Sequence, residues 1–136
     1  SIHVDDKTPQ IVEFEFRTGY QNIPVNPDYQ EMQTIRGRIG DNGTTIYYIA
    51  IDFGPGRAKT KVKRDLELIG QEHRQFVKMI HDTRFREKTA EEIIPGGKIF
   101  DVTLIDGAGN RKQGEPSNGD DWTGLAEKIR QKAAAK

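Results

Sequence analysis

Apolar and charged residues alternate near the N-terminus, which is the pattern of strands that bury one face. Between residues 11 and 17, Val12, Phe14 and Phe16 alternate with acidic and basic side chains. Residues 32–39 repeat the alternation more weakly. We therefore predict two strands in this part of the chain, each of which presents apolar side chains to a core.

A hairpin and a third strand are expected next. Asn42-Gly43 is a strong hairpin signal because both residues tolerate positive φ. Residues 44–53 then form a predicted strand that is fairly apolar on both faces, as expected of a strand inside a sheet. The face with the stronger core character carries Tyr47, Ile49, Ile51 and Phe53.

Residues 65–85 have the periodicity of an amphipathic helix. The apolar positions form one stripe with a 3.6-residue repeat, made of Leu66, Ile69, His73, Phe76, Val77 and Ile80. Such a stripe is stable only when it is covered, so we expect the helix to pack on a sheet or a partner.

The remaining segments are shorter or more polar. Lysines alternate with smaller residues between 58 and 63, which favours a short edge strand with its lysines outward. Residues 98–106 alternate clearly and predict another strand. Residues 111–120 are polar and contain glycine and proline, which is typical of a linker, and residues 121–136 predict a final helix.

The order of these segments predicts the fold class. Strands come in runs and do not alternate regularly with helices, which favours an α+β fold. We expect a mostly antiparallel sheet of four to five strands, with one long amphipathic helix packed on one face and a C-terminal helix. The predicted organisation is a single α+β domain in residues 1–110, a polar linker in 111–120 and a C-terminal amphipathic helix in 121–136.

Composition narrows the classes of site. The chain has 136 residues, of which 34% are hydrophobic and 31% charged, and this suits one modest domain. It contains no cysteine, which excludes disulfides, zinc–thiolate centres and cysteine nucleophiles. No segment approaches the roughly 18 apolar residues of a membrane span. The chain begins with Ser1, as it would after removal of an export signal, so we expect a periplasmic or secreted location as readily as a cytoplasmic one.

Charge is balanced overall and uneven locally. Lysines and arginines number 21, as do aspartates and glutamates, so the general basic field of a nucleic-acid binder is absent and such binding is not favoured. Residues 57–88, however, carry ten cations and five acids. Five of these cations follow a Gly-Pro-Gly turn and are uninterrupted by an acid.

We call residues 54–64 the basic segment, and it has two interpretations. Its lysines can protect a sheet edge from aggregation. Alternatively, its glycine amides and cations can bind a phosphate, an acidic polymer or an acidic protein surface. Arg36 and Arg38 would add to this site if they faced the same way. The candidate anion-binding residues are Gly54, Gly56, Arg57, Lys59, Lys61, Lys63 and Arg64.

The histidines give weaker signals for chemistry. His73 lies on the apolar stripe of the predicted helix, where a partly buried structural histidine bonded to the sheet is expected. His3 and His81 complete the set, and no zinc-ligand spacing joins them. No nucleophile is paired with a base, so we predict no catalytic residue, metal or cofactor. A small enzyme that uses His73 or His81 as acid or base remains an alternative.

The C-terminal helix also has two interpretations. Trp122, Leu125 and Ile129 form an apolar stripe after the predicted linker. They can cover the core of their own domain, or they can dock on a protein partner, since tryptophan is a favoured interface anchor. Our leading hypothesis is a non-catalytic protein-binding or assembly module. The alternatives are an anion or nucleic-acid binder that uses the basic segment, and the histidine-based enzyme.

Overall fold

A computed structural model describes residues 10–20, 31–52, 59–87 and 98–135 of the chain. These residues form an α+β fold, which confirms the predicted class. In chain order the elements are β1 Ile11–Tyr20, β2 Glu31–Ile39, β3 Gly43–Asp52, β4 Lys59–Ile69, α1 Gly70–Asp82, β5 Phe85–Arg86, β6 Lys98–Asp106, β7 Arg111–Pro116 and α2 Gly119–Ala134.

All described strands belong to one antiparallel sheet in the order β4-β3-β2-β1-β6-β7-β5. The sheet has seven strands and not the four to five predicted. β1 lies near the middle, where Phe16 is opposite Ile35 of β2 and Val102 of β6. The predicted hairpin between β2 and β3 is present, and the Gly40 N–H donates to the Gly43 carbonyl at 2.8 Å.

The predicted start of the long helix was wrong. Residues 65–69 continue β4, and α1 begins only at Gly70, where φ is +57°. Leu66 and Leu68 are buried at the two-residue spacing of a strand, whereas Ile69, which the helical stripe included, is 61% exposed. In residues 65–69 the apolar side chains therefore follow the two-residue repeat of a strand and not the 3.6-residue repeat of a helix.

The segment expected to be a polar linker contains β7. Residues 111–114 pair with β6, with Gly114 opposite Val102, and residues 115–116 pair with β5. Residues 111–113 of β7 are polar and exposed, so this strand shows no hydrophobic alternation in the sequence. Backbone hydrogen bonds to β6 hold this segment in the sheet.

The core lies between one face of the sheet and both helices. Trp122 is fully buried there, with its ring centroid 5.3 Å from that of Phe16 and 6.3 Å from that of Phe76. Leu125 and Ile129 are buried in the same core. The three side chains predicted as partner anchors therefore pack within their own chain, and they could contact a partner only if α2 left the sheet.

The buried Thr83 hydroxyl accepts a hydrogen bond from the only polar atom of the Trp122 side chain. The Trp122 indole N–H donates to Thr83 Oγ1 at 3.1 Å, and the Asn118 side-chain amide donates to the same oxygen at 3.2 Å. The Thr83 hydroxyl in turn donates to the Met79 carbonyl at 2.8 Å. Thr83 thus joins the end of α1 to the start of α2.

We predict that Thr83→Val destabilises the protein by about 1–3 kcal/mol, because the buried indole N–H and the Asn118 amide lose their common acceptor. Urea unfolding followed by tryptophan fluorescence measures the change. Thr123→Val, at an exposed position of α2, is the matched control and should change stability by less than about 0.5 kcal/mol. Equal effects of the two substitutions would contradict this role of Thr83.

Candidate binding site on the open sheet face

Both described helices pack on one face of the sheet, and no helix among the described residues covers the opposite face. We call it the open face. On β3 the residues that point to it are Thr45, Tyr47, Ile49 and Ile51, while the alternate residues are buried under the helices. The prediction that the Tyr47 face points into the core was therefore wrong. Both faces of β3 are apolar, so composition alone does not decide which one the helices cover.

A concave region of about 370 Å³ lies on the open face, and we call it the open-face pocket. Its polar and aromatic lining comes from five strands that are adjacent in the sheet, β3, β2, β1, β6 and β7. These residues are Glu13, Glu15, Arg36, Arg38, Thr45, Tyr47, Thr103 and Arg111, with Ile105 as an apolar wall.

Strand register sets the charges of the pocket side by side. Glu15 of β1 lies opposite Arg36 of β2, and Arg36 lies opposite Tyr47 of β3. One pair further along, Glu13 lies opposite Arg38. An acidic stripe on β1 thus runs beside a basic stripe on β2.

The arginines of the pocket are available to a ligand. Arg36, Arg38 and Arg111 are exposed, and none of them enters an ion pair in the part of the chain that the structure describes. Arg17, by contrast, lies 3.7 Å from Glu15 and 3.9 Å from Asp101. Three guanidinium groups therefore surround the pocket without a carboxylate partner among the described residues.

Two contacts orient two of these arginines, Arg36 and Arg111. The Arg36 guanidinium lies over the Tyr47 ring, 5.0 Å from its centroid, which is a cation–π contact. The Arg111 Nη2 donates to Gln113 Oε1 at 3.1 Å. Planar guanidinium groups held in this way can each donate two parallel hydrogen bonds to a carboxylate or phosphate.

A glycine brings the two arginine-bearing positions of β2 close to β3. A Cβ added to Gly37 would lie only 1.9 Å from the backbone oxygen of Thr45. No other residue fits between Arg36 and Arg38 without a shift of the strands.

The structure divides the basic segment. Gly54, Gly56 and Arg57 lie outside the described residues. Lys59, Lys61, Lys63 and Arg64 lie on β4, which is the end strand of the described sheet, and all four are exposed. The prediction of a lysine-rich edge strand is confirmed, while anion binding by this segment stays a prediction.

β3 separates the described cations of β4 from the arginines of β2. The Lys61 Nζ lies 3.1 Å from Glu31 Oε2. Lys63 is in register with Ile49 and therefore points to the open face. Arg36 and Arg38 face the open side as well, but β3 separates them from β4. The pocket therefore joins these two arginines to Arg111 and not to the described cations of the basic segment.

The predicted structural role of His73 is confirmed. It lies on the buried side of α1, and its Nδ1 is 3.0 Å from Thr44 Oγ1 on β3. Burial raises the pKa of the Tyr48 phenol on the same side, so the phenol stays protonated and donates to Gln33 Oε1 at 3.3 Å. His81 is exposed on α1, and His3 lies outside the described residues. Neither described histidine lines the pocket.

No family model matches this chain, and no curated protein or solved structure matches it either. Within the described ranges, no cluster of three or more potential metal ligands is present. Neither α1 nor α2 is long and apolar enough to cross a membrane.

Sequence reasoning missed the pocket as a unit. One signal was present, because acids at positions 13 and 15 and arginines at 36 and 38 each repeat with the two-residue period of one strand face. Arg111 was missed because its strand was interpreted as part of a linker.

We predict that Gly37→Ala destabilises the protein by about 1–3 kcal/mol, since the added methyl group meets a backbone oxygen that cannot rotate away. Gly124→Ala is the matched control, because no atom lies within 4 Å of its added Cβ. Alanine is the better helix former, so this control should stabilise by about 0.5–1 kcal/mol. Thermal and urea unfolding measure both changes, and a neutral Gly37→Ala would contradict the close approach of β2 and β3.

Proposed function

We propose that this chain is a non-catalytic binding module whose open-face pocket takes an acidic segment of a partner protein. The observation that supports the proposal is the set of three exposed arginines, Arg36, Arg38 and Arg111, which lack ion-pair partners among the described residues. Arginine is enriched at protein interfaces and binds carboxylates through two parallel hydrogen bonds.

The arginines of the pocket are more exposed than its glutamates, and this difference favours an acidic ligand. Glu13 and Glu15 are half-buried on β1, whereas the arginines on both sides are exposed. A ligand that approaches the open face meets guanidinium groups first. The glutamates then provide acceptors for backbone or side-chain donors of the same ligand.

Strand geometry gives the spacing of the ligand. Arg36 and Arg38 are two residues apart on β2, so their Cα atoms are separated by about 6.8 Å. Arg111 and Arg38 lie in one row with three strand-to-strand steps between them, which amounts to about 14 Å. An extended segment with carboxylates two residues apart matches the shorter distance. The row from Arg38 to Arg111 runs across the strands, so a third carboxylate reaches Arg111 only where the segment turns across the sheet.

A protein ligand fits this pocket better than a nucleic acid. Binding of single-stranded nucleic acid uses aromatic rings that are free to stack on bases, but the described face of Tyr47 already carries the Arg36 guanidinium. Glu13 and Glu15 would also repel a continuous phosphate backbone. A peptide with separated carboxylates avoids both conflicts.

Anion binding through the basic segment is the second candidate. The observation in its favour is the group of exposed cations on the edge strand, which includes Lys59 and Lys63. The two candidates use different strands, so substitutions on β2 and on β4 distinguish them.

We predict that a fluorescein-labelled peptide of alternating glutamate and threonine binds the full chain and that Arg36→Gln/Arg38→Gln weakens binding at least about tenfold. Each charge-assisted hydrogen bond to an arginine contributes about 1.5–3 kcal/mol, and tenfold corresponds to about 1.4 kcal/mol. Fluorescence anisotropy at several salt concentrations measures the affinity, with a glutamine–threonine peptide as the neutral comparison.

Arg74→Gln/Arg130→Gln removes the same charge from the exposed surfaces of α1 and α2 and should leave affinity within about twofold. If Lys59→Gln/Lys63→Gln weakens binding while the β2 variant does not, the basic segment is the site and the open-face proposal is wrong. Equal binding of the two peptides, or tighter binding of a labelled single-stranded oligonucleotide, would also contradict it.

A further inference from the structure

We propose that β4 pairs antiparallel with β4 of a second copy of this chain, so that the sheet continues from one molecule into the next. β4 is an end strand of the sheet, with one side bonded to β3 and no described strand on its other side. Unpaired backbone groups along such an edge are a template for another strand. The opposite end strand, β5, has only two residues.

The two halves of β4 differ in how strongly they discourage pairing with another strand. The N-terminal half carries Lys59 and Lys61, and the register with β3 shifts between Ala50 and Ile51, which marks a bulge. Lysines and bulges both discourage pairing at an edge. Residues 62–69 pair with β3 without interruption, and this half ends at Ile69, which is 61% exposed.

A groove runs beside the regular half of β4. It has a volume of about 580 Å³, and its lining on β4 consists of Asp65, Leu66 and Glu67. Lys132 and Ala135 of the α2 end complete the wall together with Thr45. An extended segment placed along the edge would therefore enter a concave surface with apolar and charged parts.

Charge complementarity identifies a second copy as the occupant. Lys63 is followed by Asp65 and Glu67, all three are exposed, and none enters an ion pair of the described chain. Antiparallel pairing of two identical strands places the basic part of one opposite the acidic part of the other. Parallel pairing would place like charges together, which is unfavourable.

One register pairs opposite charges on the open face and apolar residues on the helix side, and its one like-charge pair is Arg64 with Arg64 of the second copy on the helix side. Directly opposite residues of antiparallel strands point to the same face, so a two-fold axis places one residue opposite itself. With Arg64 at that position, Lys63 lies opposite Asp65 of the second copy on the open face. On the helix side, Val62 lies opposite Leu66, which extends the core across the interface.

The test is the self-association of the full chain, measured by sedimentation velocity over a range of concentrations. We expect a concentration-dependent dimer. Lys63→Glu and Asp65→Lys should each weaken dimerisation about tenfold or more, because each creates two like-charge pairs. The double variant Lys63→Glu/Asp65→Lys restores both pairs with inverted sign and should dimerise within about threefold of the original chain.

A chain that stays monomeric at all concentrations would overturn the proposal, as would a dimer that is insensitive to Lys63→Glu or single-variant losses without rescue. Circular dichroism verifies that each variant is folded. The chain contains no cysteine, so Arg64→Cys offers an independent measurement. Under oxidation it should form a disulfide-linked dimer much faster than Arg74→Cys on the exposed surface of α1, and equal rates would contradict the register.

Discussion

Trp122 packs between the sheet and α1, and this contact determines which face of the sheet is covered. The indole ring contacts Phe16 and Phe76, and its N–H is satisfied by Thr83. A large aromatic side chain with one polar atom is stable in a core only when that atom finds a partner. The Thr83 hydroxyl provides it and ties the two helices together on one side.

The open face follows from this arrangement. Because both described helices are held on the side of Trp122, the side chains of alternate strand positions point away from them. Those positions carry arginines on β2 and glutamates on β1, and the register brings them together. Gly37 then allows the close approach of β2 and β3 on which their spacing depends. The pocket is thus the consequence of packing on the other side of the sheet.

The fold class could be predicted from the sequence, and the site could not. Strands with a clear period of two, such as β1 and β6, are visible from alternation, and so is the hairpin at Asn42-Gly43. β7 was missed because its stability comes from backbone pairing, which leaves no hydrophobic signal. Tyr47 was assigned to the core because both faces of β3 are apolar, and only the positions of the helices decide between them.

The pocket itself is a product of register. Arg38 and Arg111 are far apart in the sequence, and they fall in one row only because β6 and β1 lie between their strands. Single-strand periodicity indicates which residues share a face, but it does not determine strand order. For the same reason, the basic segment was prominent in the sequence, although β3 lies between its described cations on β4 and the arginines of β2.

The most direct test of the account is a two-dimensional amide NMR titration of the full chain with an extended glutamate-rich peptide. We predict that the largest shift changes fall on the alternate residues of β1, β2, β6 and β7 that line the open-face pocket, with the Arg36 and Arg38 amides among them. The helices should change little. Shift changes concentrated on β4 or on α1 and α2, with the open face unaffected, would contradict the claim that the open face is the binding surface.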